Sequence, residues 1–122
     1  MNPDRKRWNE QQKLLQEALL RGNDHPRAVE LFLAQHAATH PEGMSGSGTW
    51  SFADEVLAGL NESALRHLPP GGEHSIVWIL WHLARIEDVT MNLLVAGSPQ
   101  VFHSAGWRER LGAGIENGRA HV

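Results

Sequence analysis

The sequence predicts an all-α protein, and three observations support this. Apolar residues recur at spacings of three and four in several segments, which is the period of an amphipathic helix. Capping residues precede these segments, and glycine or proline follows them. No segment shows the alternation and paired turn residues of a β-hairpin. The chain has 122 residues, of which 41% are hydrophobic and 20% charged, so we expect one domain spanning residues 1–122.

The first two predicted helices are joined by a tight turn. The first runs from Trp8 to Leu20, and Gly22 stands in the usual stop position behind it. Asn23 or Asp24 can cap the second helix, which we expect to run to about His40.

The middle of the chain contains a loop and shorter elements. Residues 41–49 are rich in glycine and serine and predict a loop. A short third helix is predicted from Trp50 to Ala58, with Thr49 or Ser51 as its cap. A further turn follows at residues 61–65, before the proline and glycine pairs of residues 69–72.

One long helix is predicted from about Glu73 to Ala96, with a stop at residues 97–99. At 1.5 Å per residue it would span roughly 36 Å, the length of a bundle helix. Beyond it, only the stretch from Trp107 to Leu111 favours another short helix.

A histidine lies in the apolar stripe of this long helix. With a step of about 100° per residue, His82 falls among five apolar residues: Trp78, Ile79, Ile86, Val89 and Leu93. A histidine in such a stripe is either a packing residue bonded to a carbonyl or carboxylate, or a metal ligand. Both alternatives stay open. Arg85 and Asp88 lie three residues apart beside the stripe, and we expect a surface or rim pair of little energetic value.

His36 and His40 form an H-x-x-x-H pair on the apolar face of the second helix. Residues four apart can hold one ion together. If this helix packs on the long one, His82 could join them. Three histidines and an open coordination position are typical of a catalytic zinc-type or nickel-type site. The pattern lacks a glutamate between its histidines and also arises by chance in a histidine-rich chain, so ordinary packing remains the alternative.

Composition excludes several classes. The net charge of −3 gives no electrostatic basis for binding nucleic acid or an anionic membrane. The longest apolar run has six residues, far fewer than the ~20 of a membrane span. The chain contains no cysteine, and its N-terminus lacks the apolar core of a signal peptide, so we expect a cytoplasmic location.

The run W-H-L-A-R-I-E-D at residues 81–88 follows, in order, a helix with H-A-A-T-H, a loop and a short acidic helix. From about Pro26 to Leu111 this arrangement resembles the N-terminal half of a DinB-like protein. The resemblance implies an up-and-down four-helix bundle with a divalent metal, zinc or nickel, held by three histidines. One of these lies on the second bundle helix, where His82 matches it. The resemblance also implies hydrolase or thiol S-transferase chemistry on a small molecule.

Nothing after Gly97 resembles the last two bundle helices, so we expect a chain truncated before them. His36 and His40 could replace the family's later histidine pair, or two chains could pair their long helices. Exposed apolar faces favour a homodimer. Two functions therefore remain: a metal-dependent enzyme, or a non-catalytic bundle fragment that acts through self-association or a partner. DNA binding is disfavoured by the acidic charge balance.

Overall fold

The structure, a computed structural model, describes residues 2–112. This range is helical and contains no strand, which confirms the all-α prediction. The chain divides into two compact units, Met1–Gly59 and Leu60–Val122, and each is described by itself. Within residues 2–112, every helix is too short or too polar to cross a bilayer.

The first unit begins with a long helix, α1 (Pro3–Arg21). It starts five residues before the predicted Trp8 because the Asn2 side chain caps it, accepting a hydrogen bond from the Asp4 N–H at 2.8 Å. Pro3 suits the first helical position, since its missing N–H would have no partner there. The helix ends as predicted at Gly22, whose φ of 66° is the left-handed conformation that favours glycine.

Helix α2 (His25–Ala37) packs against α1. Asp24 is its cap and accepts from the Arg27 N–H at 3.1 Å. The helix ends three residues before the predicted His40 because Thr39 turns the chain. Its N–H and its hydroxyl both donate to the His36 carbonyl, at 3.0 and 2.6 Å. The core of this unit is small: Ala28, Leu31 and Ala38 are its buried apolar residues.

Two short helices complete the described part of the first unit. Helix α3 (Glu42–Ser45) lies within the segment predicted as a loop. Helix α4 (Phe52–Leu57) is capped by Ser51, one of the two predicted caps. The half-buried Glu55 ties α4 to the start of α1. Its carboxylate accepts from Asn2 at 2.9 Å and from the Trp50 indole N–H at 2.8 Å, and it forms an ion pair with Arg5.

In the second unit, α5 (Glu62–Arg66) packs against α6 (Ile76–Glu87), and a π-helix (Asp88–Val95) continues α6. The predicted long helix therefore starts three residues late and changes type in its second half. It starts late because the Ser75 hydroxyl caps it, accepting from the Trp78 N–H. In the π-helix, bonds run from residue i to i−5, as from Ala96 N–H to Met91 O. The 100° step used to place Val89 and Leu93 in one stripe with His82 does not hold there.

Two short helices follow, α7 (Val101–Ser104), which was not predicted, and α8 (Trp107–Leu111), which has its predicted bounds. Asp88 holds α7 in place. Its carboxylate accepts from the backbone N–H groups of Val101 and Phe102 at 2.7 and 2.8 Å, and from the Asn92 side chain at 2.8 Å.

The expectation of a weak rim pair between Arg85 and Asp88 is wrong. Their side chains are only 10% and 13% exposed, and they meet at 3.0 Å. Arg85 also donates to Gln100 at 2.7 Å, and its guanidinium lies 4.2 Å from the ring centroid of Phe102. Arg85 is thus a core residue of this unit. Its acceptor Gln100 lies fifteen residues later in the sequence.

Candidate metal centre

The H-x-x-x-H spacing brings two imidazoles together at the end of α2. The Nε2 atoms of His36 and His40 are 3.4 Å apart, and their ring centroids are 4.8 Å apart with planes inclined by 69°. His36 is exposed and His40 half-buried. The predicted pairing of these two residues is therefore present, although His40 lies just beyond the last residue of the helix.

Neighbouring residues contact the backbone of His40 and the ring of His36. The Ser51 hydroxyl donates to the His40 carbonyl at 2.6 Å, and the His40 N–H donates to the Ala37 carbonyl at 3.2 Å. One turn before His36, the Phe32 ring lies nearly parallel to it, with 6.3 Å between centroids. The backbone of His40 is thus held from two sides, and the His36 ring is backed by an aromatic face.

The distance between the two nitrogens suits two ligands of one ion. Zinc binds imidazole nitrogen at about 2.0–2.1 Å, and a tetrahedral angle then separates two ligand nitrogens by about 3.3 Å. A hydrogen bond between imidazoles would bring the nitrogens nearer, to about 2.7–3.2 Å. The observed 3.4 Å lies within hydrogen-bond reach of the two rings and also fits two ligands of one ion. The spacing is therefore compatible with metal ligation.

His82 belongs to the second unit, where it is half-buried. Its ring stacks on Trp78, with centroids 4.8 Å apart, and Trp78 stacks on His74 at 3.6 Å. His74 precedes α6, and Trp78 and His82 lie within it at spacings of four residues. The indole therefore lies between the two imidazoles. As expected from their spacing, His74 and His82 do not meet each other. That His82 is a metal ligand stays a prediction.

The strongest electrostatic perturbation lies at Asp88. Burial alone would raise the pKa of this carboxyl group, but hydrogen bonds from the Phe102 N–H, the Asn92 amide and the Val101 N–H, together with the charge of Arg85, lower the pKa below its ordinary value. Asp88 is therefore ionised at neutral pH. Its hydrogen bonds hold α7, so the structure gives it a supporting role.

Sequence reasoning missed the residues that support the histidine pair. Ser51 was identified only as a cap, but its hydroxyl both accepts from the Asp54 N–H at 3.2 Å and donates to the His40 carbonyl. The contact with His40 spans eleven residues, so no helical spacing signals it. The local capping motif was the only sequence signal for this residue.

A family model described as the DinB superfamily matches residues 47–120, which is more than half of the chain. The match includes His82 and begins after His36 and His40. No curated protein and no solved structure gives a significant match.

Proposed function

Because the chain belongs to the DinB superfamily, we propose that it binds a divalent metal ion, with His36 and His40 as ligands. We further propose that the ion serves hydrolysis or thiol transfer on a small-molecule substrate. The observation that carries the metal assignment is the 3.4 Å separation of the two Nε2 atoms. The family assignment supports the reaction classes, which the resemblance implies.

The residues of the first unit have defined parts in this proposal. His36 and His40 must both be neutral to coordinate through nitrogen, so protons compete with the metal. Ser51 fixes the backbone of His40, and the Phe32 ring lies nearly parallel to the His36 ring. A bound divalent cation would supply Lewis acidity toward a water molecule, a thiol or a substrate oxygen.

His82, in the second unit, offers an imidazole at the position that the family resemblance assigns to a ligand. We propose it as a metal donor on that ground, to be tested by substitution.

Calorimetric titration of Zn²⁺ and Ni²⁺ into chelator-treated protein tests the metal assignment. We expect His36→Ala and His40→Ala each to weaken binding more than about tenfold, since each removes one donor. His67→Ala is the matched control, because His67 is an exposed histidine outside the pair. His82→Ala tests whether the histidine that the resemblance assigns also contributes to metal binding.

The assignment is wrong if the unmodified protein binds neither ion. It is equally wrong if the double variant of His36 and His40 binds as tightly as the His67→Ala control. For the reaction class, metal-loaded protein is assayed with a nitrophenyl ester, and separately with an added small-molecule thiol and a chloronitrobenzene, from which the thiolate displaces chloride. Turnover that needs the metal and disappears in the double variant supports the proposal. Turnover that the double variant retains refutes it.

A second proposal, self-association without catalysis, is favoured by exposed apolar residues on the π-helix. Leu94 and Val95 are 72% and 70% exposed. We propose that such residues are covered by a second copy of the chain, giving a homodimer. In sedimentation equilibrium, Leu94→Glu is then expected to shift the protein toward monomer. A monomer at all concentrations of the unmodified protein would contradict this.

A further inference from the structure

The first unit contains a cleft that the proposed metal centre does not use. Its volume is about 360 Å³, within the range of small-molecule sites. Asp4, Arg7 and Trp8 line it from α1, Ala34 and Ala38 from α2 and the turn that follows it, and Trp50 from the segment before α4.

Two of the residues that line the cleft, Trp8 and Trp50, are aromatic, and its α2 side is made of small residues. Phe52 contacts both tryptophans, with its ring centroid 5.8 Å from Trp8 and 5.2 Å from Trp50. Ala34 and Ala38, four residues apart on the α2 side, leave room for an apolar group of a ligand. Such walls favour a ligand with a flat apolar part.

One polar atom of the cleft residues has no acceptor. The Trp50 indole N–H donates to Glu55 at 2.8 Å. The Trp8 indole N–H is buried and has no hydrogen-bond partner among residues 2–112. Buried donors are ordinarily paired, so this N–H is an unusual feature of the cleft wall.

The cleft also carries two opposite charges, one turn apart on α1. Neither the Asp4 carboxylate nor the Arg7 guanidinium forms an ion pair with another described residue. A carboxylate and a guanidinium side by side match an ammonium and a carboxylate on one ligand. That combination is the head group of a free amino acid.

We propose that this cleft binds a free α-amino acid with an aromatic side chain. The ligand carboxylate accepts from Arg7, and the ligand ammonium pairs with Asp4. The ring packs against Trp50 and the alanine side of the cleft. This site is independent of the metal proposal, because it shares no residue with the histidine pair.

The test uses L-phenylalanine and follows the indole N–H signals by ¹⁵N NMR. The Trp8 signal is assigned by its loss in Trp8→Phe. We expect that signal to shift on titration, because the Trp8 ring lines the cleft. Phenethylamine lacks the carboxylate, 3-phenylpropionate lacks the ammonium and L-alanine lacks the ring, so each should bind at least about tenfold more weakly.

Arg7→Gln and Ala34→Leu, with Lys6→Gln as a control, separate binding from folding, because all three positions are exposed. Arg7→Gln should weaken L-phenylalanine binding about tenfold or more, whereas Lys6→Gln, its neighbour outside the cleft lining, should not change it. Ala34→Leu should abolish binding by filling the cleft. The proposal is refuted if L-phenylalanine does not bind, if the three analogues bind as well as it does, or if Ala34→Leu binds as tightly as the unmodified protein.

Discussion

Replacing Asp88 by asparagine should destabilise the second unit strongly. One carboxylate oxygen accepts from Asn92 and from the Val101 N–H, and the other accepts from Arg85 and from the Phe102 N–H. An asparagine has one acceptor oxygen, so either orientation of its amide leaves two donors facing an NH₂ group. It also removes the negative charge that compensates Arg85, a residue 9% exposed.

The magnitude follows from these contacts. Two lost hydrogen bonds cost about 1 kcal/mol each. Leaving one partner of a fully buried ion pair uncompensated costs about 3–5 kcal/mol. The Arg85 and Asp88 side chains retain 10% and 13% exposure, so solvent screens part of the charge. We therefore expect Asp88→Asn to lower the free energy of unfolding by about 2–4 kcal/mol.

Urea unfolding followed by circular dichroism measures this loss. The control is Glu62→Gln, which breaks an ion pair with Arg66 in which the two side chains are 79% and 68% exposed. An exposed pair of this kind contributes at most about 0.5 kcal/mol. If Asp88→Asn costs no more than Glu62→Gln, the hydrogen bonds of Asp88 do not stabilise the unit, and the reasoning is refuted.

Further predictions concern the pH dependence of stability, the carboxylate of Glu55, the cap Ser51 and the turn at Gly22. Burial alone would raise the pKa of Asp88, but its hydrogen bonds and Arg85 lower it. The ionised carboxylate therefore adds to the free energy of unfolding above the unfolded pKa of about 3.9, and this addition is lost as pH falls through the lower folded pKa. The difference in unfolding free energy between Asp88→Asn and the unmodified protein should thus shrink below about pH 4. Glu55→Gln should cost about 1 kcal/mol in urea unfolding, because it removes the charge that pairs with Arg5 while the amide oxygen still accepts from Asn2 and Trp50; an unchanged midpoint would contradict this. Ser51→Ala should cost about 1–2 kcal/mol and also weaken zinc binding, because it releases the backbone of His40; unchanged zinc affinity would refute the positioning role. Gly22→Ala should cost about 1 kcal/mol in the same assay, because φ is 66° there, and a stabilised variant would contradict it.

Local signals predicted much of the fold. Asp24 and Ser51 act through N–H groups three residues away, and Gly22 acts within its own turn, so each is visible in a short window of sequence. The all-α class and the bounds of α8 follow from the same kind of signal. The histidine pair was predicted from a spacing of four, which joins neighbours on a helix, although His40 lies in the turn that follows α2.

Contacts between distant residues were not predictable. Nothing near Arg85 in the sequence indicates that Gln100 and Phe102 bury it, and so its pair with Asp88 was taken for a surface pair. The cleft residues come from three separate segments, and the unsatisfied donor on Trp8 follows only from their packing. The change from α-helix to π-helix at Asp88 likewise has no signal in the hydrophobic pattern.

That change of helix type has a consequence for insertions and deletions. A π-turn accommodates one more residue than an α-turn, because its hydrogen bonds close over five residues instead of four. Deleting a single residue between Asp88 and Val95 could therefore be absorbed by a return to α-helical bonding, whereas a deletion within α6 would rotate every following side chain. The π-helix can therefore lose one residue without a change in the direction of the chain. Its first residue, Asp88, supplies the carboxylate that holds α7.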